Sequence, residues 1–198
     1  MAEILVVYAT TEGHTRKVAE FIAERVRARG HHVDLVDAAT PAVEHLGLRY
    51  RAAFVGGSVH CDRHQGALLH FARRQRAWLN AMPVAFFSVG LALVQPDAGG
   101  VEAAREAADR FVEQTGLRPA RVHLVAGALK YTQYDFFKRW VMRTIAAREG
   151  RSADTGHDHE YTDWADVGAF VDAFLALAGE RRPEVAATAT GPGSEDER

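Results

Sequence analysis

Short apolar runs alternate along this chain with segments in which apolar residues recur every three or four positions. Runs of this length are typical of strands buried on both faces of a sheet, and the intervening periodicity is typical of amphipathic helices. The alternation predicts an α/β fold with a doubly wound, five-stranded parallel sheet. The predicted strands are residues 3–8, 32–37, 51–57, 83–89 and 121–129.

The predicted helices lie between and after these runs. Residues 101–115 form one of them, and the weakly patterned segment from Pro41 to Leu46 is expected to hold only a short helix. A final helix spans residues 163–178, with Thr162 or Asp163 as its N-cap. The clearest apolar stripes are Val18, Phe21, Ile22 and Val26, then Leu68, Leu69, Phe71 and Ala72 with Trp78 and Leu79, and then Trp164, Val167, Phe170, Val171, Phe174 and Leu175.

Length and composition predict one domain. The chain has 198 residues, of which 47% are hydrophobic and 25% charged, enough for one buried core. We expect residues 1–179 to form this domain, with a helical insertion at about 130–160 near the last strand. Residues 180–198 are polar and small and contain Pro and Gly, so we expect them to be a disordered tail.

Charge and cysteine content exclude several classes of function. The formal net charge is −2, and no basic run carries interleaved aromatics, so nucleic acid is not expected as a partner. Cys61 is the single cysteine, which rules out an internal disulfide and a thiolate-rich metal site. The start of the chain lacks a basic signal-type region, and no apolar run reaches membrane-spanning length. We expect a cytoplasmic protein.

The segment after the first strand has the chemistry of a phosphate site. It reads Thr10-Thr11-Glu12-Gly13-His14-Thr15 and leads directly into the first helix. Hydroxyl groups and free backbone N–H groups at a helix start bind anions. The segment lacks the glycine pattern of a dinucleotide loop and the lysine of a triphosphate loop, so a monophosphate ester fits best. The alternative is that Gly13 only makes a turn and Thr15 only caps the helix.

Two more loops are expected beside this one, because ligands of open α/β sheets lie at the carboxyl ends of the strands where the strand order reverses. They are residues 57–60, after the third strand, and residues 88–92, after the fourth. Both are rich in small residues, so their backbones can approach a flat ligand closely. The alternative is that they are ordinary connections.

The chain resembles the flavodoxin-like family over residues 3–178, and more narrowly its menaquinone-dependent protoporphyrinogen IX dehydrogenase branch. Flavodoxins illustrate the rule just used, with FMN between strands one and three. The resemblance implies strand order 2-1-3-4-5, an FMN cofactor, a porphyrinogen or other planar hydrophobic donor, and a quinone acceptor. It rests on residues 10–16 and 55–58, on residues 80–89 (NAMPVAFFSV), on residues 126–131 (AGALKY) and on residues 161–164 (YTDW).

The resemblance also implies which residues bind the cofactor. The chemistry is assigned to flavin N5, and no catalytic residue of the protein is assigned. His60 and Cys61 stand where the family usually has an arginine and a tyrosine, which leaves ring stacking and substrate preference open. The implied phosphate residues are Thr10, Thr11, Gly13, His14 and Thr15, with Glu12 as a further cofactor-binding residue of the same loop; the implied ring residues are Ser58, Val59 and His60 on one side and Ser88, Val89, Gly90, Leu91 and Ala92 on the other.

Charge near the predicted ring site favours two-electron chemistry. Val59, His60, Leu91 and Leu93 are the candidate flanks, and Arg63 and His64 lie nearby in sequence. Positive charge beside the ring would stabilise the reduced, anionic flavin. The alternatives are a flavodoxin-type electron carrier and an NAD(P)H-quinone reductase.

A metal site is not expected. The candidate ligands have spacings that match no standard zinc pattern. They are His60, Cys61, His64 and His70.

The insertion combines aromatic and basic residues. Lys130, Tyr131 and Tyr134 are the substrate-proximal candidates. Its apolar stripe either packs on the sheet domain or approaches an anionic membrane surface or a carboxylate-bearing tetrapyrrole. The second reading would add a peripheral location at the inner face of the membrane.

Overall fold

We describe the fold from a computed structural model, in which residues 1–94, 98–129 and 159–180 are described. These residues form alternating strands and helices, as the hydrophobic pattern predicts. The strands are β1 (Glu3–Ala9), β2 (His32–Asp37), β3 (Ala52–His60), β4 (Arg63–His64), β5 (Val84–Gly90), β6 (Arg121–Ala126), β7 (Ala128–Leu129) and β8 (His159–Glu160). The helices are α1 (His14–Ala28), α2 (Gly66–Arg74), α3 (Arg76–Leu79), α4 (Ala98–Thr115) and α5 (Trp164–Glu180), with 3₁₀ turns at Pro41–His45 and Ala92–Val94.

The main sheet has the strand order β2-β1-β3-β5-β6, and all of these neighbours are parallel. This confirms the predicted parallel sheet and its order 2-1-3-4-5, since β5 and β6 are the fourth and fifth long strands. The order reverses between β1 and β3, where a ligand crevice is expected. The two-residue strand β4 pairs antiparallel with the end of β3.

Helices cover both faces of the sheet. On one face Val18 and Ile22 of α1 and Phe174 of α5 pack in a cluster with Phe54. On the other face, Leu68 of α2 and Phe111 of α4 pack in a second cluster with Val7, Phe86 and other strand residues. Full burial of side chains of this size stabilises the fold by roughly 1.5–3 kcal/mol each. The two cores hold the strand ends in fixed positions for the site.

The last predicted strand, residues 121–129, is too long. β6 ends at Ala126, and the backbone N–H of Gly127 donates to the carbonyl of Gly90 at 3.0 Å. The chain then leaves the main sheet. The next strand, β7, pairs antiparallel with β8 in a separate two-stranded sheet. The helical stripe that ends at Leu79 is likewise divided, into α2 and α3.

Asp163 caps α5. Its Oδ1 accepts the backbone N–H groups of Ala165 and Asp166, each at 3.0 Å. Thr162, the other predicted cap, instead donates its hydroxyl to the carbonyl of Ala126 at 2.7 Å. The hydroxyl of Thr162 is therefore not part of the α5 cap.

Two predictions concern regions outside the described residues. The insertion is described only at residues 159–160, and the predicted tail only at Glu180, the last residue of α5. Within the described ranges, no helix has both the length and the apolarity needed to cross a membrane.

Candidate functional site

The strand register brings the ends of three strands into one row. Ala9 of β1 pairs with Gly57 of β3, and Gly57 pairs with Ser88 of β5. Beyond this row the chain continues into Thr10 on β1 and to the pair Ser58 and Val89. Residues 57–60 and 88–90, predicted as loops, are therefore the last residues of β3 and β5, because the sheet pairing continues through them, and they lie beside the segment that follows β1.

The segment after β1 forms a tight turn into α1. Gly13 adopts a left-handed conformation with φ 88°, which a residue with a Cβ rarely adopts. Its backbone N–H donates to Thr10 Oγ1 at 2.9 Å. Helix α1 begins at His14, and no side chain caps its start by a hydrogen bond. The first backbone N–H groups of any α-helix lack partners within the helix.

The first turn of α1 carries basic side chains, and positive charge is unfavourable at the start of a helix unless an anion binds there. It contains no acidic residue, whereas His14, Arg16 and Lys17 are basic. Cationic groups near the positive end of a helix dipole are unfavourable. Arg16 pairs with Glu20 at 2.8 Å and Lys17 with Glu160 at 2.5 Å.

A buried hydroxyl group adds to the case for an anion. Thr15 is 1% exposed, and its Oγ1 has no hydrogen-bond partner. An unpaired buried polar group costs about 1–3 kcal/mol. A phosphate oxygen would satisfy it, so the residues present fit the phosphate of a nucleotide-type cofactor.

Gln65 joins the segment after β1 to the end of β3, and no sequence pattern indicates this link. Its Nε2 donates to Thr11 Oγ1 at 3.1 Å and also to Ser58 Oγ. Its Oε1 is buried without a partner. The contact with Thr11 spans 54 positions along the chain, and only the fold brings these residues together.

His64 holds the third loop and carries no charge. Its Nε2 lies 3.0 Å from Ser88 Oγ, and its ring packs against Phe86 and Phe111 at centroid distances of 5.3 and 5.0 Å. Burial lowers the pKa of His64 to about 4. The expectation that His64 adds positive charge beside the ring is therefore wrong, because its imidazole is neutral near pH 7.

The β3–β4 hairpin forms one wall of the predicted ring site. Its two turn residues, Cys61 and Asp62, have φ values of 47° and 60°. The carbonyl of Asp62 accepts a hydrogen bond from Arg110 Nη1 of α4 at 2.8 Å, which ties the turn to the body of the protein. His60 and Arg63, the pair that flanks the turn, are both exposed at the rim.

The other wall follows β5. A Cβ on Gly90 would lie 3.6 Å from Val59 Cβ, so the ends of β3 and β5 lie close together here. Val59, Leu91 and Ala92 are half-buried. These three flanks are aliphatic, and residues 58–60 and 88–92 contain no Phe, Tyr or Trp to stack on a flat ligand.

Residues just before α5 meet the first turn of α1. Thr162 Oγ1 lies 2.7 Å from His14 Nε2, and Glu160 accepts bonds from both Lys17 Nζ and Trp164 Nε1. Residues 161–164 contribute to the family resemblance and include the predicted cap of α5, but no sequence pattern places Thr162 at the site. Thr162 and His14 are 148 positions apart in the chain, so no local sequence pattern indicates their contact.

The predicted site residues fall into two groups. Those after β1 and those at the ends of β3 and β5 lie at one edge of the sheet, and their roles in binding stay predictions. Lys130, Tyr131 and Tyr134 lie outside the described residues. Among the residues the structure describes, no three His, Cys, Asp or Glu side chains are grouped as metal ligands.

Comparison with known proteins was made over the whole chain. Residues 5–156 match the model of the flavodoxin domain family. The protoporphyrinogen IX dehydrogenase [quinone] of Escherichia coli K12 is 28% identical over 166 residues, which are 84% of this chain and 91% of that protein. The protein of the same name from Leishmania major is 30% identical over 177 residues, 87% of this chain and 74% of that protein.

Solved structures show the same fold. The flavodoxin of Streptococcus pneumoniae TIGR4 aligns with a TM-score of 0.53 at 16% identity, over 89% of this chain and 99% of that chain. Oxidised flavodoxin 2 of Bacillus cereus aligns with a TM-score of 0.52 at 19% identity, over 89% and 99% of the two chains.

Proposed function

This chain belongs to the flavodoxin domain family, and we propose that within it the protein oxidises a porphyrinogen, with FMN as cofactor and a quinone as acceptor. Family membership implies a flavin and an oxidoreductase. The choice of FMN, the donor and the acceptor are the proposal. They are supported by the names of the relatives that this chain resembles over most of its length.

One observation carries the choice of FMN over a flavin without phosphate. The first turn of α1 combines basic side chains, the absence of acid, and the buried, unpaired hydroxyl of Thr15. A phosphate monoester would meet all three conditions, because it is an anion with several strong acceptor oxygens. Riboflavin, which lacks the phosphate, would meet none of them.

The residues assigned to FMN have distinct tasks. Thr10, Thr15 and the N–H groups of the first turn of α1 would hold the phosphate, with His14 beside them. Residues 58–60 and 88–92 would lie on the two sides of the ring system. When bound, FMN would supply two-electron chemistry, taking a hydride equivalent at N5.

The protein's own contribution is positioning. Gln65 bonds to Thr11 and Ser58, and His64 bonds to Ser88, so the three loops are held at fixed separations. Orientation of this kind lowers the entropic part of a reaction barrier. The aliphatic flanks would leave the ring face open to a large planar donor, because residues 58–60 and 88–92 contain no Phe, Tyr or Trp that would compete for stacking. No proton-transfer residue is assigned.

The test is an assay with three combinations of substrates. The purified protein is loaded with FMN and given protoporphyrinogen IX with menadione, NADPH with menadione, or a one-electron partner alone. The proposal predicts turnover with the first combination and little with the second. Turnover only with NADPH would identify a quinone reductase, and no turnover with either donor would identify an electron carrier; both results contradict the proposal.

A membrane location is a separate part of the proposal. We infer peripheral contact with an anionic membrane, because a quinone acceptor is a membrane-dissolved molecule and the insertion is rich in basic and aromatic residues. Cosedimentation with anionic and with neutral vesicles tests it. Binding to anionic vesicles that weakens with salt is expected, and equal recovery in the supernatant with both vesicles would contradict it.

A further inference from the structure

We propose that Gln65 is a positioning residue of the cofactor's phosphate site and acts through Thr11. The inference rests on the proposed function, since it assumes that the segment after β1 binds the phosphate of FMN. Gln65 itself lies 54 positions further along the chain, directly before α2. Its role would be to make the hydroxyl group of Thr11 a hydrogen-bond donor to the phosphate.

The amide nitrogen of Gln65 holds two hydroxyl groups. Its Nε2 donates to Thr11 Oγ1 at 3.1 Å and to Ser58 Oγ. A glutamine amide has two N–H hydrogens, so these two bonds use both of them. Ser58 is half-buried near the end of β3, where it pairs with Val89 of β5. The bond to Ser58 therefore anchors the amide to the main sheet, and the bond to Thr11 holds the segment after β1.

The surroundings of the amide oxygen favour this orientation. Among the described residues, Gln65 Oε1 is buried without a hydrogen-bond partner. A Cβ on Gly57 would lie 3.0 Å from this oxygen and 2.8 Å from Leu68 Cδ2. The reverse orientation would place the two N–H hydrogens of the amide there instead. Two buried donors without acceptors are less favourable than one buried oxygen without a donor, so the amide nitrogen faces the hydroxyl groups.

This orientation decides what the hydroxyl group of Thr11 can do. Its oxygen accepts a hydrogen from Gln65, so its own hydrogen points away from Gln65 and can be donated to a ligand. A hydroxyl that accepts one hydrogen bond also donates a stronger one. A phosphate group offers several strong acceptor oxygens. Gln65 therefore makes Thr11 complementary to a phosphate.

Thr10 has the same polarity for a different reason. Its Oγ1 accepts the backbone N–H of Gly13 at 2.9 Å, so its hydroxyl hydrogen also points elsewhere. Two successive hydroxyl groups of the segment are thus donors toward a ligand. The polarity of Thr10 is set by the local turn, whereas that of Thr11 is set by a distant side chain. A substitution at Gln65 can therefore reverse Thr11 without changing the segment itself.

Two variants of Gln65 change this polarity in different ways. A carboxylate only accepts hydrogen bonds, so in Gln65→Glu the hydroxyl hydrogen of Thr11 turns toward the new carboxylate. The lone pairs of Thr11 Oγ1 then face the phosphate. Gln65→Met keeps a side chain of similar length and makes no hydrogen bond to Thr11, so it leaves the hydroxyl group without a fixed direction.

The experiment is a titration of the flavin-free protein with FMN and with riboflavin, followed by flavin fluorescence. Thr11→Val is introduced into the unmodified protein and into both variants. It should weaken FMN binding about 3- to 10-fold in the unmodified protein, the size of one hydrogen bond, and less than about 2-fold in Gln65→Met. In Gln65→Glu it should leave FMN binding unchanged or strengthen it, because it removes an acceptor oxygen that faces the phosphate. Riboflavin binding should not respond to Thr11→Val in any of the three.

This reversal separates polarity from charge. The negative charge added by Gln65→Glu repels the phosphate whether or not Thr11 has its hydroxyl group, so it cancels when the two proteins are compared. Gln75→Glu is the matched control. Gln75 is half-buried like Gln65 and lies at the other end of α2, about 15 Å along the helix axis. Its substitution should leave the affinity for both flavins unchanged.

Equal losses of FMN affinity on Thr11→Val in the unmodified protein and in both Gln65 variants would overturn the inference, while the proposed function would stand. The absence of any loss in the unmodified protein would overturn it as well. If urea denaturation shows that Gln65→Glu does not fold, the comparison of Gln65→Met with the unmodified protein decides alone. Failure of the unmodified protein to bind FMN at all would overturn both the inference and the proposed function.

Discussion

The two ends of the candidate site differ in how they are built. At the phosphate end, which comprises residues 10–15 and the first turn of α1, His14 and Lys17 are held by residues 148 and 143 positions away in the chain. At the ring end, residues 58–64 and 88–92, the walls are hairpin and loop backbone fastened by single side chains, His64 and Gln65. The phosphate end concentrates charge, whereas the ring end has aliphatic flanks, Val59, Leu91 and Ala92, with His60 and Arg63 only at its exposed rim.

Because of this difference, we expect the phosphate end to govern cofactor binding and the ring end to govern specificity for the donor. A charged first helix turn with an unpaired hydroxyl favours one kind of ligand group, an anion, whatever is attached to it. The aliphatic ring walls impose no stacking partner, so they leave room for a large donor. We therefore expect changes at the phosphate end to alter cofactor affinity, and changes at the ring end to alter stability or turnover.

The largest effect is expected under the ring end, at Gly56. A Cβ there would lie 2.3 Å from ring carbons of Phe87, which is fully buried and has no room to move. Gly56→Ala should destabilise the fold by about 3 kcal/mol, the upper part of the range for overpacked cores. Urea denaturation measures this. Gly66→Ala is the control, since a Cβ at Gly66 meets nothing; equal stability of the two variants would contradict the packing described.

At the phosphate end, Thr15→Val should separate cofactor affinity from stability. The variant keeps the shape of the side chain and removes a buried hydroxyl that has no partner. FMN affinity should fall about 10- to 100-fold, as for a hydrogen bond to a charged group, while the stability of the ligand-free protein stays the same or rises. A loss of stability with unchanged FMN affinity would show that Thr15 serves the fold and not the phosphate.

Acid should weaken the ring end through His64. An unfolded histidine titrates at 6.5 and folded His64 at about 4, so the unfolded chain takes up the proton first. The contribution of His64 is complete above pH 6.5 and is lost as the pH falls toward 4, by about 2 kcal/mol at pH 5. Urea denaturation at pH 7 and pH 5 measures it.

The comparison with His64→Phe isolates this effect, because burial lowers the pKa of His31 and His123 too. The variant should lose less stability between pH 7 and pH 5 than the unmodified protein. The same loss in both would assign the acid sensitivity to other groups.

The smallest effect is expected at the hairpin turn. Cys61 and Asp62 both have positive φ, a conformation in which Asn followed by Gly is favoured. Replacing them together, Cys61→Asn with Asp62→Gly, should stabilise the protein by about 1 kcal/mol and leave FMN affinity unchanged. A change of more than about 3-fold in FMN affinity would show that the two ends are coupled more strongly than the structure indicates.

The parts of this molecule that were predictable from sequence are those with a repeating pattern. The runs that form β1, β3 and β5 are each five or more residues long and mostly apolar, and β2 has three apolar residues in six, so the existence and order of these strands follow from local pattern and the rules of parallel sheets. Two-residue strands such as β4 and β8 have no period to detect. The sequence therefore does not predict them. The sequence also predicts that the last strand continues to residue 129, three residues beyond the end of β6, because the apolar run continues past Gly127.

The site was predictable as a set of loops but not as a set of contacts. Residue types at strand ends identified the loops after β1, β3 and β5. The contacts of Gln65 and of Thr162 cross 54 and 148 positions, which only the folded chain brings together. The neutral state of His64 depends on burial, which its polar sequence neighbours conceal.

The most direct test of the proposed phosphate site is the affinity of the unmodified, flavin-free protein for FMN compared with riboflavin. If the phosphate of FMN binds at the first turn of α1, several charge-assisted hydrogen bonds form there, and FMN should bind at least about 100-fold tighter than riboflavin. Equal affinity for the two flavins, or no binding of either, would contradict it.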